Sequence, residues 1–243
     1  MTILRHFTIA ALALCLTACG KPVAHAADDP AFGEKVQAYL MAHPEVVEQA
    51  IGKLQQQKQA QAEQTAIAKI RSHKAALERD PRDFVVNPTG KITVVEFFDY
   101  QCGYCKLAAP EVVKLIRANP DVRFVFKDFV IFGPESEAAA RAAIGAGRQG
   151  RYLEAYQNFM SEKAMNHTAL PRLLKASGVG DLAKAQAAGA DASATQKLKD
   201  DHQLAVDLGI EGTPAFLVGE ILVPGADIEA LKAAIQKARS KAA

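Results

Sequence analysis

The sequence of 243 residues predicts an α/β domain preceded by an α-helical segment. Between about residues 84 and 240, short β-branched or aromatic runs alternate with helical patterns, which indicates a sheet covered by helices. Before residue 80, the apolar residues recur at helical spacing. The length suits one full domain plus an extension. The net charge of +2 gives no electrostatic reason to expect nucleic acid as a partner.

Residues 1–26 have the features of an export signal, because Arg5 and His6 precede an apolar run too short to span a bilayer. Two cleavage signals compete. Residues 24–26 (Ala-His-Ala) have the small-x-small pattern of ordinary cleavage, whereas residues 16–19 (Leu-Thr-Ala-Cys) resemble the lipobox of bacterial lipoproteins, in which Cys19 is lipidated. We prefer the lipobox because it directly ends the apolar run. Both signals predict export to an oxidising compartment, the periplasm, and the lipobox adds a membrane anchor.

Residues 27–79 are predicted to form a helical N-terminal segment and a linker. An apolar stripe runs along two helices that are separated at His43-Pro44. The glutamine-rich stretch 55–64 follows, and it is either a solvated helix or a flexible connector. The stripe either folds back on the main domain or joins subunits, and the polar spacer favours a homo-oligomer formed through residues 31–54. The stripe consists of Phe32, Val36, Tyr39, Leu40, Val47, Ile51 and Leu54.

Residues 80–243 form the predicted main domain. Its element order is strand, strand, helix, strand, several helices, strand, strand and helix, which is typical of a thioredoxin fold with a helical insertion at about residues 135–190. The strands are expected at 84–86, 91–98 and 122–130, then in a stretch ending near Gly219, and at 221–223. The helices are expected at 103–118, 135–147, 151–163, 168–177 and 192–208, with a last helix capped by Asp227.

The motif that carries chemistry is Cys-Gly-Tyr-Cys at residues 102–105, where a predicted strand is followed by a helix. Cys102 lies at the helix N-terminus, where unpaired N–H groups and the helix dipole favour negative charge and lower the pKa of a thiol. Cys105 lies one turn further on the same side, within reach of a disulfide with Cys102. We therefore interpret Cys102 as the attacking thiol and Cys105 as the resolving thiol of a redox pair.

Metal binding by the same cysteines is the alternative interpretation. A structural zinc site needs four ligands, and no cysteine follows Cys105 in the sequence. Copper(I) is a better rival, because soft thiolates such as those of Cys102 and Cys105 bind it. Apart from this alternative, we expect no cofactor and no metal.

Three stretches resemble the DsbA-like thioredoxin family: residues 96–105, the phenylalanine-rich strand before Gly133, and residues 212–215 (Gly-Thr-Pro-Ala). Residues 36–40 and 43–47 also resemble the start of suppressor-of-copper-sensitivity C (ScsC) proteins. In that group the N-terminal segment oligomerises the DsbA-like domain into a disulfide isomerase or reductase. The resemblance implies protein substrates with disulfides and, as electron donor, a membrane thiol–disulfide reductase of the DsbD or ScsB type. A monomeric dithiol oxidase is the second enzymatic interpretation.

The resemblance also implies roles for residues around the cysteines. Pro214 matches the family's cis-proline, which faces the cysteine pair and exposes the backbone of Thr213 for pairing with an extended substrate. Gly103 and Tyr104, between the cysteines, occupy positions that tune the redox potential and contact substrate. They replace the Pro-His of the strong oxidants, which implies a weaker oxidant.

Glu96 is the candidate proton acceptor for Cys105. It shares a strand face with Ile92, Val94 and Phe98, so we expect it to be buried with a raised pKa. An acidic residue stands at this place in the family, six residues before the first cysteine. The alternative is a solvated glutamate at the end of the strand. We expect Lys127 to lie at the surface rather than to pair with Glu96.

Overall fold

The structure is a computed structural model that describes residues 30–163 and 165–242. The predicted export signal, its lipobox and Cys19 lie outside the described residues. The chain divides into two compact units, and the boundary between them follows Lys58. Each unit is described by itself.

The N-terminal unit contains α1 (Pro30–Ala42) and the first part of α2 (Glu45–Ser72). Pro44 stands just before α2, as the sequence predicts for a second helix. The described residues of α1 include no buried side chain. On α2, the helix is continuous through the glutamine-rich stretch 55–64, which therefore forms a solvated helix rather than an irregular connector. The predicted apolar stripe is largely exposed in this unit; Tyr39 is 56% exposed and Ile51 is 51% exposed.

The second compact unit starts at Gln59, earlier than the boundary expected at residue 80. The physical reason is apolar burial by the end of α2 and by α3 (Lys74–Glu78). Ile70 and Leu77 are both buried, in a cluster that includes Val125 and Leu204. The last part of the predicted linker is therefore part of the main domain.

A five-stranded mixed sheet forms the centre of the second unit. Its strand order is β1-β3-β2-β4-β5, in which β2 and β3 are parallel and the other neighbours are antiparallel. β3 is buried along its whole length and β2 almost so, as expected for strands covered by helices on both faces. The strands are β1 (Phe84–Val86), β2 (Ile92–Phe98), β3 (Val122–Asp128), β4 (Ala215–Val218) and β5 (Ile221–Pro224).

Helices cover both faces of the sheet, and the predicted thioredoxin fold with a helical insertion is confirmed. The insertion contains one helix more than the sequence predicts, α8, because its nine residues carry small side chains that give a weak apolar pattern. The helices of this part are α4 (Gly103–Ala118), α5 (Pro134–Gly147), α6 (Tyr152–Ser161), α7 (Leu170–Ala176), α8 (Leu182–Ala190), α9 (Ala192–Leu208) and α10 (Ile228–Ala242). None of the described helices is long and apolar enough to cross a membrane.

Small residues let α5 and α8 approach each other closely. A Cβ atom added to Gly145 would lie 2.1 Å from the backbone oxygen of Ala185, and one added to Gly189 would lie 2.1 Å from that of Arg141. A real Cβ atom does not fit at such distances, so both positions require glycine. This contact holds two helices of the insertion together, and α6 of the same insertion contributes side chains to the core cluster that includes both cysteines.

Candidate active site

The two cysteines lie at the start of α4, directly after the loop that follows β2. Cys102 is the N-cap of the helix, with extended backbone angles, and its Sγ accepts a hydrogen bond from the Cys105 backbone N–H at 3.4 Å. Its own N–H donates to the Asp99 backbone oxygen at 3.1 Å, which closes the turn before the helix. Both cysteines are free thiols and both are buried.

Their environments push the two thiol pKa values apart. The pKa of Cys102 is lowered to about 6, chiefly by a hydrogen bond from the Cys105 thiol, then by the side chain of Thr213 and by the backbone N–H groups of Cys105 and Tyr104. Burial opposes this shift. The pKa of Cys105 is raised, first by burial and then by its hydrogen bond to Cys102. At neutral pH, Cys102 is therefore mainly a thiolate while Cys105 keeps its proton.

The loop before β4 faces Cys102. The Sγ of Cys102 lies 3.1 Å from the backbone oxygen of Thr213, and the Thr213–Pro214 peptide bond is cis. The Pro214 backbone oxygen accepts a hydrogen bond from the Gly225 N–H at 2.8 Å, which holds the loop. The hydroxyl of Thr213 is buried. A cavity of about 260 Å³ borders this loop and is lined by residues 209–215 with Leu222, Pro224 and Gly225.

Glu96 is buried in the middle of the sheet, as the strand pattern predicts. Its side chain is 1% exposed, and both carboxyl oxygens accept hydrogen bonds from the Tyr156 hydroxyl, at 3.1 and 3.2 Å. Burial raises the pKa of Glu96 to about 8, against the opposing effect of Tyr156. The charge of Glu96 is also one of the causes that raise the pKa of Cys105. The two groups therefore interact electrostatically inside the domain.

The expectation of a surface position for Lys127 is wrong. Lys127 is 1% exposed and pairs with Asp83 at 2.8 Å and with Asp201 at 3.3 Å. Because side chains alternate along β3, Lys127 points to the opposite face of the sheet from Glu96. Two acids that are distant in sequence pair with it there, which compensates for its removal from solvent.

Sequence reasoning missed Asp99, which positions the cysteine loop. Its Oδ1 accepts hydrogen bonds from the Gln101 N–H at 2.7 Å and the Ser136 hydroxyl at 2.6 Å. Its Oδ2 accepts from the backbone N–H groups of Ile131 and Phe132, at 2.8 and 3.1 Å. Asp99 thus ties the loop before Cys102 to the loop after β3. An aspartate directly after a buried strand, at the start of a turn, is the signal that identifies such a residue.

Apolar side chains are exposed near the cysteines. Tyr104 is 68% exposed and Leu107 is 73% exposed, both on α4. Phe132 is 54% exposed, and its backbone is held by Asp99. Gly103 leaves open space beside the attacking sulfur, since an added Cβ would contact nothing among the described residues. We call Tyr104, Leu107 and Phe132 the apolar rim; exposed apolar residues of this kind are typical of interaction sites.

Metal coordination receives no support from a wider ligand set. Within residues 30–163 and 165–242, no group of three or more histidine, cysteine, aspartate or glutamate side chains is placed to hold an ion. A copper(I) ion at this site would depend on the sulfurs of Cys102 and Cys105.

Two antiporters among the curated proteins with similar sequences are longer than this chain. The Na(+)/H(+) antiporter NhaA 1 of Salinispora arenicola is 31% identical over 169 residues, which cover 65% of this chain and 25% of the antiporter. The chain thus spans about a quarter of the length of that relative.

Solved structures match over most of their own length. A thioredoxin-like oxidoreductase from Silicibacter pomeroyi is 38% identical, with a TM-score of 0.65, and the match covers 68% of this chain and 97% of that one. ScsC of Proteus mirabilis, solved in a transitional conformation, is 27% identical, with a TM-score of 0.66. That match covers 88% of this chain and 99% of ScsC.

Two protein families match separate parts of the sequence. The DSBA-like thioredoxin domain matches residues 93–236, which is more than half of the chain and includes both cysteines and Pro214. The copper resistance protein ScsC N-terminal domain matches residues 30–61, which cover α1 and the first part of α2. With this pair of matches and with ScsC among its structural relatives, the chain belongs to the DsbA-like thioredoxin family of the ScsC type.

Proposed function

We propose that this protein is an exported thiol–disulfide oxidoreductase that acts as an oligomeric protein disulfide isomerase or reductase. The observation that carries the proposal is the asymmetry of the cysteine pair. Cys102 is stabilised as a thiolate at the N-terminus of α4, Cys105 is a buried thiol one turn further on, and the loop with the cis Thr213–Pro214 bond lies beside the attacking sulfur. This arrangement suits nucleophilic attack on a disulfide followed by resolution.

The reaction has two steps. The Cys102 thiolate attacks one sulfur of a substrate disulfide, a mixed disulfide forms, and the other substrate sulfur leaves as a thiolate. In reduction, Cys105 then loses its proton to Glu96 and attacks Cys102, which releases the second substrate sulfur as a thiolate and leaves the enzyme oxidised. In isomerisation, a thiolate of the substrate itself attacks the mixed disulfide and Cys102 is regenerated.

The surroundings of Cys102 favour incompletely folded proteins as substrates. An extended segment can pair with the exposed backbone at Thr213, which reads no particular side chain. The apolar rim offers contacts to apolar side chains that a folded protein keeps inside. Together they give broad recognition of chains whose disulfides are incorrectly paired.

The N-terminal unit supports self-association. Its apolar stripe is exposed, and the ScsC N-terminal domain match covers it. Exposed apolar stripes on amphipathic helices are typical of helix–helix association. We therefore propose a homo-oligomer formed through residues 31–54. We also propose that the protein is located in the periplasm and that a lipid at Cys19 anchors it. The proposed electron donor is a membrane thiol–disulfide reductase of the DsbD or ScsB type.

The test is the repair of a protein whose disulfides have been scrambled. The reduced full-length mature protein should restore the activity of the scrambled protein, and Cys102→Ser should not. Oxidation of reduced proteins without repair of scrambled ones would instead indicate the monomeric dithiol oxidase. Copper(I) binding by a pair that never forms a disulfide would indicate the metal-binding alternative.

A further inference from the structure

A second group of buried polar side chains lies on the same face of the sheet as Glu96. In the parallel register of β2 and β3, Glu96 is opposite Phe126 and Phe98 is opposite Asp128. Because side chains alternate along a strand, Asp128 points to the face that carries Glu96. It lies two positions nearer to the end of the sheet where β2 leads to Cys102. Asp128 is 1% exposed.

The carboxyl oxygens of Asp128 lack hydrogen-bond partners. Within the part of the chain that the structure describes, neither of the two oxygens has a partner. The buried hydroxyls of Tyr100 and Tyr152 interact with each other, and the charge of Asp128 raises the pKa of both. Buried polar groups are normally hydrogen-bonded to protein or to ordered water. Two unpartnered carboxyl oxygens beside two buried hydroxyls therefore indicate bound water.

The surrounding charges leave Asp128 unbalanced. On the other face of β3 and on α9, two lysines pair with two aspartates, so that cluster is neutral by itself. Asp128 contacts the cluster through its backbone N–H, 3.2 Å from Asp201 Oδ2. Burial raises the pKa of Asp128 to about 8. The titratable groups that face it are Asp83 before β1, Asp99 and Tyr100 after β2, Tyr152 on α6, and Lys197 and Asp201 on α9.

Tyr100 is the member of this group nearest in sequence to the active site. It is buried two residues before Cys102, and its ring centroid is 6.4 Å from that of Tyr156, whose hydroxyl donates to Glu96. The charges of Asp128 and Glu96 both raise the pKa of Tyr100. Tyr100 is therefore within electrostatic range of both buried acids.

A cavity of about 430 Å³ reaches the group from outside. Tyr152, Asp83 and Lys197 line it, and so does Arg148, whose side chain is exposed. Water in the cavity meets the side chain of Tyr152, whose hydroxyl itself is buried.

We propose that Asp128, Tyr100 and Tyr152 form a water-containing proton-exchange site that serves Cys105 through Glu96 and opens to solvent at the cavity beside Tyr152. This inference rests on the thiol–disulfide exchange proposed above and adds a route for its proton. Because Asp128 acts through Glu96, it is a positioning residue.

The proton balance follows the resolving step. When Cys105 attacks the mixed disulfide, its S–H bond breaks, the bond to Cys102 forms, and the substrate sulfur leaves as a thiolate. The proton passes to the Glu96 carboxylate. It then moves through the tyrosine hydroxyls and bound water to the Asp128 carboxylate, and from there to solvent. Glu96 is ionised again, and no electron leaves the sulfur atoms.

The experiment follows both steps in the reduced full-length protein with oxidised glutathione as the probe. Rapid acid quenching and mass spectrometry separate formation of the Cys102–glutathione disulfide from its resolution by Cys105. Asp128→Asn should slow resolution about tenfold, less than the ~100-fold expected for a direct acid–base group, and should change its pH profile. The first step should keep its rate. Tyr152→Phe, which removes the hydroxyl alone, should slow resolution in the same direction.

Two comparisons decide the outcome. If both acids serve one route, Glu96→Gln combined with Asp128→Asn should resolve no more slowly than Glu96→Gln alone. The matched control is Asp200→Asn, which alters an exposed acid that binds the cavity residue Arg82 and should leave both steps unchanged. The proposal is overturned if Asp128→Asn and Tyr152→Phe keep the wild-type pH profile of resolution. It is also overturned if the two substitutions of the double variant slow resolution multiplicatively, or if Asp200→Asn slows resolution as much as Asp128→Asn does. Failure of the wild-type protein to form the first mixed disulfide would instead reject the proposed function.

Discussion

The Sγ of Cys102 lies 3.1 Å from the backbone oxygen of Thr213, on a loop more than a hundred residues later in the chain. The contact places the attacking sulfur against backbone that is available for pairing with an extended peptide. In the proposed function, attack and substrate holding would take place at one point, and the roles of the two cysteines can be tested there.

The first prediction concerns the roles within the pair. Cys102→Ser should abolish disulfide exchange, because no other thiol at the site is stabilised as a thiolate. Cys105→Ser should instead accumulate mixed disulfides through Cys102, because the resolving thiol is missing. Mass spectrometry of protein mixed with a disulfide-containing substrate distinguishes the two. Faster alkylation of Cys105 than of Cys102 at neutral pH would reverse the assignment.

The second prediction concerns the cause of the low Cys102 pKa. The largest contribution is the hydrogen bond from the Cys105 thiol. Cys105→Ala removes that donor and leaves the backbone N–H groups, so the pKa of Cys102 should rise from about 6 toward its ordinary value. The pH dependence of thiolate ultraviolet absorbance or of alkylation measures the shift. An unchanged midpoint in Cys105→Ala would show that the helix N-terminus alone sets the pKa.

The third prediction concerns Glu96 and stability. The native pKa of about 8 lies above the ordinary value of 4.5 because Glu96 is buried. Between these pH values the unfolded chain has released a proton that the native state keeps, so the stability present below pH 4.5 is lost as the pH rises toward 8. Through Glu96, the free energy of unfolding should fall by at most about 1.4 kcal/mol per pH unit.

Because glutamine does not ionise, Glu96→Gln should reduce the loss of stability as the pH rises. The variant should therefore be more stable than the wild type near pH 8 in the reduced state. Urea unfolding at a series of pH values checks the slope. Glu63→Gln, at an exposed position on α2, is the matched control and should leave it unchanged. Equal slopes in Glu96→Gln and the wild type would mean that Glu96 is ionised in the native protein.

Local sequence signals were sufficient to predict where the cysteine pair lies in the fold. The β-branched run before Cys102 and the helical pattern after it are sufficient to place Cys102 at the start of α4, because caps depend on a few adjacent residues. The burial of Glu96 followed from alternation along β2. The position of Thr213 beside Cys102 was implied by family resemblance and not by any local pattern, because this contact joins distant parts of the chain.

Non-local contacts explain what the sequence did not predict. Lys127 is buried because Asp83 and Asp201, both far away in sequence, neutralise it. The same register turns Asp128 toward Glu96, and a strand buried on both faces shows no alternation that would indicate it. The sequence pattern does not indicate helix α8, because the packing of this helix depends on close approach of glycines rather than on large apolar side chains.

The fourth prediction tests that close approach. Gly145→Ala places a Cβ atom where the Ala185 backbone oxygen lies 2.1 Å away, so α5 and α8 must move apart. Overpacking of this kind should lower the free energy of unfolding by about 1–3 kcal/mol. Chemical denaturation measures it. Gly180→Ala is the control, because its Cβ position is open among the described residues and its stability should be close to that of the wild type.

The last prediction separates isomerase from oxidase. Isomerisation requires that a substrate stays held while its mixed disulfide with Cys102 is rearranged, and a second catalytic domain in the same oligomer provides such a hold. Ile51 and Leu54 are both about half exposed on the apolar stripe of α2. Lysines at both positions should prevent association, because burying two charges per chain in a helix–helix contact is costly.

The full-length variant Ile51→Lys with Leu54→Lys should therefore have the mass of a monomer in solution. It should reduce a small disulfide at the wild-type rate, since the cysteine site is unchanged, but should no longer repair a scrambled protein. Gln56→Lys with Gln57→Lys adds the same two charges at exposed polar positions and should keep both the mass and the repair activity. A monomeric wild-type protein, or a monomeric variant that repairs as well as the wild type, would show that Cys102 and Cys105 isomerise disulfides without a second subunit.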